Sequence, residues 1–279
     1  MTVAGGVSCR LLTVGGSPVL VRAWESGRQR VTVRAEAVDP GAVAIPPPAG
    51  EELRPAAPAE LATAAERMRF ALGVDDDLGE FFLRFRRDPL LGPAIRRRPW
   101  RRPRRRPWPW EALAWAVVEQ LVESGRAAGI ERRIVRRWGA RLGPHGTQLR
   151  DVPAAGLIGG RAPAELEATG LSPKRSVALA ATARQIAAGR VRPGEPGADR
   201  RLLAIPEIGP WTVQCLGFFG RGEPDSLPAG DLIYLKLVGR LARLGRRATV
   251  EEVEEFYAPY APFRALAGHW TTTLAPMFR

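Results

Sequence analysis

One carboxylate stands apart in a chain otherwise poor in reactive side chains. Asp231, in PAGDLIYLKLVGRL, precedes an apolar run with helical spacing, so it reads as a helix N-cap accepting a backbone N–H. The same placement fixes an anion that could stabilise positive charge developing on a substrate and orient a water for attack. Upstream, LLAIPEIGPWTVQCLGFFG carries a Pro206 to Gly209 break between two apolar helical patterns. Such a hairpin presents backbone N–H groups at the start of its second helix, an arrangement suited to a phosphate. Gly209 offers backbone freedom, and Pro210 fits the first turn, where a missing donor costs nothing. Asp225 is a second carboxylate, in a Gly, Pro and Ser loop without a helix entrance, and His269 beside Trp270 reads as structural or exposed. With two histidines and two cysteines, Cys9 and Cys215, the chain lacks an adequate zinc or iron–sulfur ligand set, a disulfide framework and a Ser/His/Asp arrangement. No acidic cluster suits a metal-assisted nuclease either.

The charge balance narrows the partner. Lys and Arg number 42 against 29 Asp and Glu, a net +13, and only Lys174 and Lys236 are lysines. That excess suits a nucleic-acid backbone or another polyanion, although a general preference for arginine, alanine, glycine and proline codons would give it too. The 279 residues, 45% hydrophobic, suffice for one or two folded domains. There is no basic leader with a continuous apolar run and no stretch fit to span a bilayer, so a soluble cytoplasmic protein is expected.

Helices and strands able to hold these groups are spread along the whole chain. Residues 17–37 alternate as a β-hairpin around Ser26-Gly27, and the proline-rich crossing from Pro40 to Pro58 reads as loop. AELATAAERMRFALG places Leu61, Ala65, Met68 and Leu72 on one helical face. A further helix starts near Asp77 or Leu78, with Phe81, Phe82 and Phe85 as core. A small α+β domain with an antiparallel sheet over 1–80 results. Residues 81–106 add this helix and a basic connector, with eleven arginines between Arg84 and Arg106. Its prolines prevent a regular helix, leaving an exposed basic connector that either gives salt-sensitive, sequence-independent affinity for DNA or is a solvated linker with incidental charge. Residues 107–279 read as helical. WEALAWAVVEQLVESGRAAGIERRIVRRWG is a long helix broken near Ser124-Gly125, with Leu113, Val117, Leu121, Ile130, Ile134 and Trp138 able to face a core. Spacing alone gives Leu121 a packing role and makes Glu119 and Gln120 a polar boundary. A loop from Pro144 to Pro163 leads to two helices separated by GLSP. Pro173 opens the second of them, whose first turn carries Lys174 and Arg175, facing either phosphate or solvent.

WEALAWAVVEQLVESG, GLSPKRSVALAATA, LLAIPEIGPWTVQCLGFF, PAGDLIYLKL and YAPYAPFRALAGHW, taken together, resemble the helix-hairpin-helix DNA glycosylase superfamily. Within it the chain looks most like the alkylated-base enzymes of the DNA-3-methyladenine glycosylase II type. The resemblance implies an α+β N-terminal domain followed by an all-α core, with the helix-hairpin-helix at 199–219. It implies a monomeric, nucleoid-associated, monofunctional enzyme that hydrolyses the N-glycosidic bond of alkylated purines in double-stranded DNA and leaves an abasic site. By the same resemblance Asp231 is the catalytic carboxylate, and Leu121, with Gln120 beside it, fills the duplex gap after base extrusion. Trp211 and Trp270 are walls of the base pocket, and Cys215 stands where relatives can carry an aromatic, widening that side. Ile208, Gly209, Lys174 and Arg175 meet the DNA backbone. The carbonyls of Leu203, Ile205 and Ile208 match a Na+ or K+ site, with no other cofactor and no iron–sulfur cluster. Lyase-competent relatives carry lysine where this chain has Trp211. One departure is Glu207, where the hairpin usually has glycine; with the arginine connector it sustains an alternative, a weakly active or non-catalytic helix-hairpin-helix DNA-binding protein.

Overall fold

A computed structural model describes residues 2–4, 6–27, 30–44, 53–143 and 149–273. Four antiparallel strands, β1 (Thr2–Ala4), β2 (Val7–Val14), β3 (Ser17–Gly27) and β4 (Arg30–Ala37), form a sheet in sequence order. The expected hairpin is β3–β4, with Val21 opposite Ala35. It is extended by two strands that the alternation did not reveal. Leu11 and Leu12 are both fully buried, on opposite faces of β2 and in separate apolar clusters, so no in–out signal exists there. Gly15 and Gly16 both take positive φ, +54° and +81°, the pair of left-handed residues that a two-residue hairpin turn requires. Leu12, Val14, Val19, Val21 and Ala23 pack on Ala64 and Met68 of α1 (Pro58–Leu72). The buried stripe of α1 is Ala64, Met68 and Ala71, with Leu61 and Leu72 at its edge.

The crossing expected as loop contributes β5 (Val43–Ala44); residues 45–52 lie outside the described ones. The strand pairs with β6 (Arg141–Leu142), which pairs with β7 (Leu149–Arg150), a ladder across about 100 residues that local pattern does not encode. Helix α2 (Gly79–Phe85) starts where expected, the Asp77 carboxylate accepting from the Gly79 N–H at 2.8 Å. The basic segment is only partly an open connector. It contains α3 (Gly92–Arg97), whose entrance is fixed by Asp88 accepting from the Leu90 and Leu91 N–H groups. Farther on Arg105 is turned inward against Asp76 at 2.7 Å. Only the run from Arg98 to Trp108, with its three prolines, is irregular throughout.

The long helix is two, α4 (Pro109–Glu119) and α5 (Ser124–Trp138), broken at residues 120–123 just before the expected Ser-Gly pair. The loop after Pro144, of which 144–148 are outside the described residues, includes α6 (Ala155–Gly159). Then come α7 (Pro163–Glu167), α8 (Pro173–Ala187), α9 (Ala198–Leu203) and α10 (Pro210–Cys215), the last prolonged by a π-helical turn from Leu216 to Arg221. Last are α11 (Leu232–Leu241), α12 (Val250–Tyr257) and α13 (Arg264–Thr271). Two apolar cores result, one around α4, α5, α8, α9 and α10, the other around α2, α3 and α11 to α13. The π-helical turn joins them, because Leu216 belongs to the first, Phe218 to the second, and Phe219 packs against both. This is the expected order of an α+β amino-terminal region followed by a helical core containing the helix-hairpin-helix. The sheet is tied to that core by an ion pair between Arg10 and the almost fully buried Glu111, and by the Thr13 N–H donating to Asp151 at 2.6 Å. No helix among the described residues is long and apolar enough to cross a membrane.

Candidate active site and nucleic-acid interface

Asp231 sits at the N-cap of α11, its Oδ1 accepting from the Ile233 N–H at 2.9 Å. The cap uses one oxygen and leaves the half-buried carboxylate partly open. Its negative charge is felt across the site, helping to raise the Cys215 thiol and the Glu119 carboxyl above their ordinary values, behind the larger effect of burial in both. Asp225 is elsewhere engaged: it accepts from the Arg264 backbone N–H at 3.0 Å and Nε at 2.9 Å.

The aromatic groups divide. Trp211, on the first turn of α10, is half-buried beside Gly230, the residue before Asp231; a Cβ added there would lie 3.7 Å from the indole Cδ1. Trp270, expected as the opposite wall, is wholly buried in the second core. Phe81 stacks on it at 6.4 Å between ring centroids and Phe82 meets it edge-on at 5.8 Å, so no face of this indole is open to a base. The buried Nε1–H groups of Trp211 and Trp270 have no protein acceptor among the described residues. His269, next in the chain, accepts from Arg101 Nε at 3.0 Å. Burial and the neighbouring arginines lower its pKa to about 4, so it is neutral at pH 7.

Leu121 contradicts the packing role that its spacing suggested. It lies in the break after α4 with φ +53° and its side chain fully exposed, away from Leu113 and Val117. Gln120 fixes the break, its amide donating to the Glu207 carbonyl at 2.8 Å and to Thr212 Oγ1 at 2.9 Å. The protruding Leu121 is thereby attached to the hairpin turn. In that turn the residue with positive φ is Glu207, at +67°; Gly209 is extended, at φ −107° and ψ 178°, so its freedom is not what the turn uses. Ile208 is buried in the first core. Lys174 is exposed, and its Nζ lies 3.5 Å from the Glu207 carboxylate. Arg175 turns back to its own fold, donating to the Val118 carbonyl at the end of α4 at 2.8 Å and to Ser172 Oγ at 3.0 Å. Of the expected backbone contacts, Lys174 faces outward and Arg175 is occupied. The carbonyls of Leu203, Ile205 and Ile208 lie along the turn, where that of Ile205 accepts from the Ile208 N–H at 3.1 Å; nothing in these contacts singles the trio out for a cation. No group of three or more His, Cys, Asp or Glu side chains among the described residues could hold a metal.

Sequence reasoning missed a cavity of about 710 Å³ bordered by α4, α5 and α10, with Trp115, Glu119, Glu131, Arg106, Cys215 and Phe219 among its lining residues. Glu119 and Glu131 face each other closely enough for each to influence the other's carboxyl. Arg106 lies 3.7 Å from Glu119, 3.9 Å from Glu131 and 3.8 Å from Glu111. Burial and the facing Glu119 push Glu131 up to about 7, so one proton is retained between the two near neutrality. A hint existed in the four-residue spacing of Glu111, Trp115 and Glu119, which puts two acids on one face of a helix, but Glu131 enters from another helix.

No family model matches the chain. It is 25% identical over 205 residues to a DNA-3-methyladenine glycosylase of Bacillus subtilis, covering 70% of this chain and 66% of that protein. It is 28% identical over 226 residues to a probable bifunctional transcriptional activator/DNA repair enzyme AlkA of Mycobacterium tuberculosis, covering 78% of this chain and 44% of that one. The chain thus spans just under two thirds of the first relative and less than half of the second. The structure of a 3-methyladenine DNA-glycosylase from Archaeoglobus fulgidus superposes with a TM-score of 0.80 over 99% of this chain and 89% of that one, at 20% identity, a likeness of fold. The chain is homologous to DNA glycosylases of the helix-hairpin-helix superfamily.

Proposed function

We propose that the protein is a monofunctional DNA glycosylase that hydrolyses the N-glycosidic bond of alkylated purines in double-stranded DNA and leaves an abasic site. The observation that carries this reading is the placement of Asp231, an open carboxylate fixed at a helix entrance beside Trp211. Its homology to glycosylases, two of them named for 3-methyladenine, supports the alkylpurine class.

Catalysis begins with base extrusion. A damaged base leaves the stack because its glycosidic carbon is inaccessible inside a duplex, and a weakened pair costs less to open. Leu121 enters the gap, its exposed side chain held out by Gln120's grip on the hairpin. A cationic purine lies against the Trp211 indole, a favourable cation–π arrangement. As the bond from nitrogen to the anomeric carbon breaks, its electron pair neutralises the purine cation, and positive charge builds on the sugar near ionised Asp231. Water oriented by that carboxylate adds to the carbon, losing a proton to solvent or Asp231. Alkylation has already improved the leaving group, so no separate strong acid is needed. Trp211 offers no amine for a covalent adduct, which favours hydrolysis without strand cleavage.

The test is Asp231→Asn. Asparagine also caps helices, so fold and DNA binding should persist while release of free base from methylated duplex drops by about 10²-fold or more. A second reading rests on Glu207, whose anion occupies the hairpin beside Lys174. If it prevails, the wild-type protein binds duplex DNA and releases no base from a broad lesion panel.

A further inference from the structure

The carboxyl pair of the cavity has no part in the chemistry above, yet it adjoins the site. Trp211, Cys215 and Phe219 succeed one another at four-residue spacing along α10 and its extension, and so share a side. Trp211 lies at the Asp231 end, while Cys215 and Phe219 border the cavity. Opposite them Glu111, Trp115 and Glu119 line it from α4. Glu119 is the last residue of α4, next to Gln120, which is bonded to Thr212 beside Trp211. Cys215, one turn along from Trp211, and Glu119 both lie within reach of the Asp231 charge. The Glu119 side chain keeps 40% of its surface, against 17% for Glu131, so Glu119 is the more accessible member of the pair.

We infer that Glu119, held by Glu131 and Arg106, reads the extruded base, accepting the N1–H and 2-amino donors of a guanine adduct. The inference rests on the glycosylase reading above. A carboxylate receives two parallel N–H donors in bidentate fashion. Adenine presents one donor beside a lone pair on the same edge, and that lone pair would face an anion. Alkylation at N7 leaves guanine's donor edge intact and adds a positive charge that the carboxylate favours.

Arg106 and Glu131 favour the Glu119 anion against the burial and the Asp231 charge that raise its carboxyl. Glu131, whose side chain is the less exposed of the two and whose carboxyl is raised to about 7, carries the pair's proton and donates it to Glu119. Arg106 is pinned by its backbone N–H to the Phe219 carbonyl at 2.9 Å, and its side chain offers charge at 3.7 Å or more without a short hydrogen bond. The other charged groups are accounted for or farther along the wall. Arg10 pairs with Glu111 and Arg105 with Asp76; Arg104, Arg132, Arg136 and Arg150 also border the cavity. Asp231 and Cys215 complete the titratable set around the opening.

The experiment measures 7-methylguanine and 3-methyladenine released from the same methylated duplex by the full chain. Glu119→Gln should lower 7-methylguanine release on the order of tenfold to a hundredfold and leave 3-methyladenine release near wild type. Glu131→Gln keeps a donor toward Glu119 and should retain the wild-type ratio. In wild type the ratio should fall on acidification, at a pH above the ordinary carboxylate range, as Glu119 takes up a proton. The acid limb should vanish in Glu119→Gln. Equal loss of both products in Glu119→Gln, or no change in either, overturns the role given to Glu119. Failure of the wild type to release any base overturns the glycosylase reading beneath it.

Discussion

At the scale of single residues, Glu207 and Trp270 carry opposite consequences. Glu207 holds φ +67° at the hairpin apex, a conformation that costs a side-chain-bearing residue of order 1 kcal/mol or more and glycine little. Its carboxylate also stands 3.5 Å from Lys174, an exposed cation whose charge it offsets. Glu207→Gly should therefore raise the melting temperature slightly and tighten duplex binding at low salt, read by thermal unfolding and by titration with labelled DNA. Trp270 is packed between phenylalanines with no exposed surface. Trp270→Ala should cost about 3–5 kcal/mol of stability, measured by denaturant unfolding. Comparable stability in that variant, with altered lesion choice, would return the indole to the pocket wall that the sequence resemblance suggested.

At the scale of elements, α4 and α5 meet through the Glu119–Glu131 contact, and this makes their association depend on pH. Glu131 holds its proton up to about pH 7 in the folded protein, against 4.5 as its ordinary value. The folded state binds the extra proton through that window, so stability from this group is greatest below it and is lost as pH rises through 7. Asp151, fully buried at the sheet and raised to about 6, acts with the same sign. Glu131→Gln should flatten the fall in melting temperature between pH 5 and 7.5 without abolishing it, since Asp151 remains. These elements also mark where the sequence was readable. The hairpin, the N-cap at Asp231 and the turn before Pro173 are local signals, complete within a few residues, and they stand where their patterns put them. The strands β5 to β7 and the Glu119–Glu131 pair depend on partners many residues away, which no local window contains. Leu121 was misplaced by the same limitation: its apolar spacing continued that of Leu113 and Val117, but the helix ends at Glu119, and the chain beyond it is oriented by Gln120 reaching the hairpin.

At the scale of the molecule, the net charge of +13 is not evenly available. Arg105 is enclosed with Asp76 and Arg101 is set against His269, whereas Arg98 and Arg104 are exposed along the irregular segment. Replacing Arg98 and Arg104 by serine should weaken binding to any duplex alike and make the logarithmic salt dependence shallower by up to about 2. Unchanged salt dependence would show that the segment stays clear of DNA. The join between sheet and helices has its own corollary. Glu111 is nearly sealed from water in the middle of α4, and its closest counter-charge, Arg10, comes from β2. A shortened chain beginning at Asp75 would keep both helical cores yet strand that anion, a loss of about 3–5 kcal/mol, comparable with the whole stability margin of many domains. The helical part is thus no detachable cassette: anyone trimming it to a minimal enzyme must first discharge position 111, and Glu111→Gln should rescue the soluble yield of the truncated form.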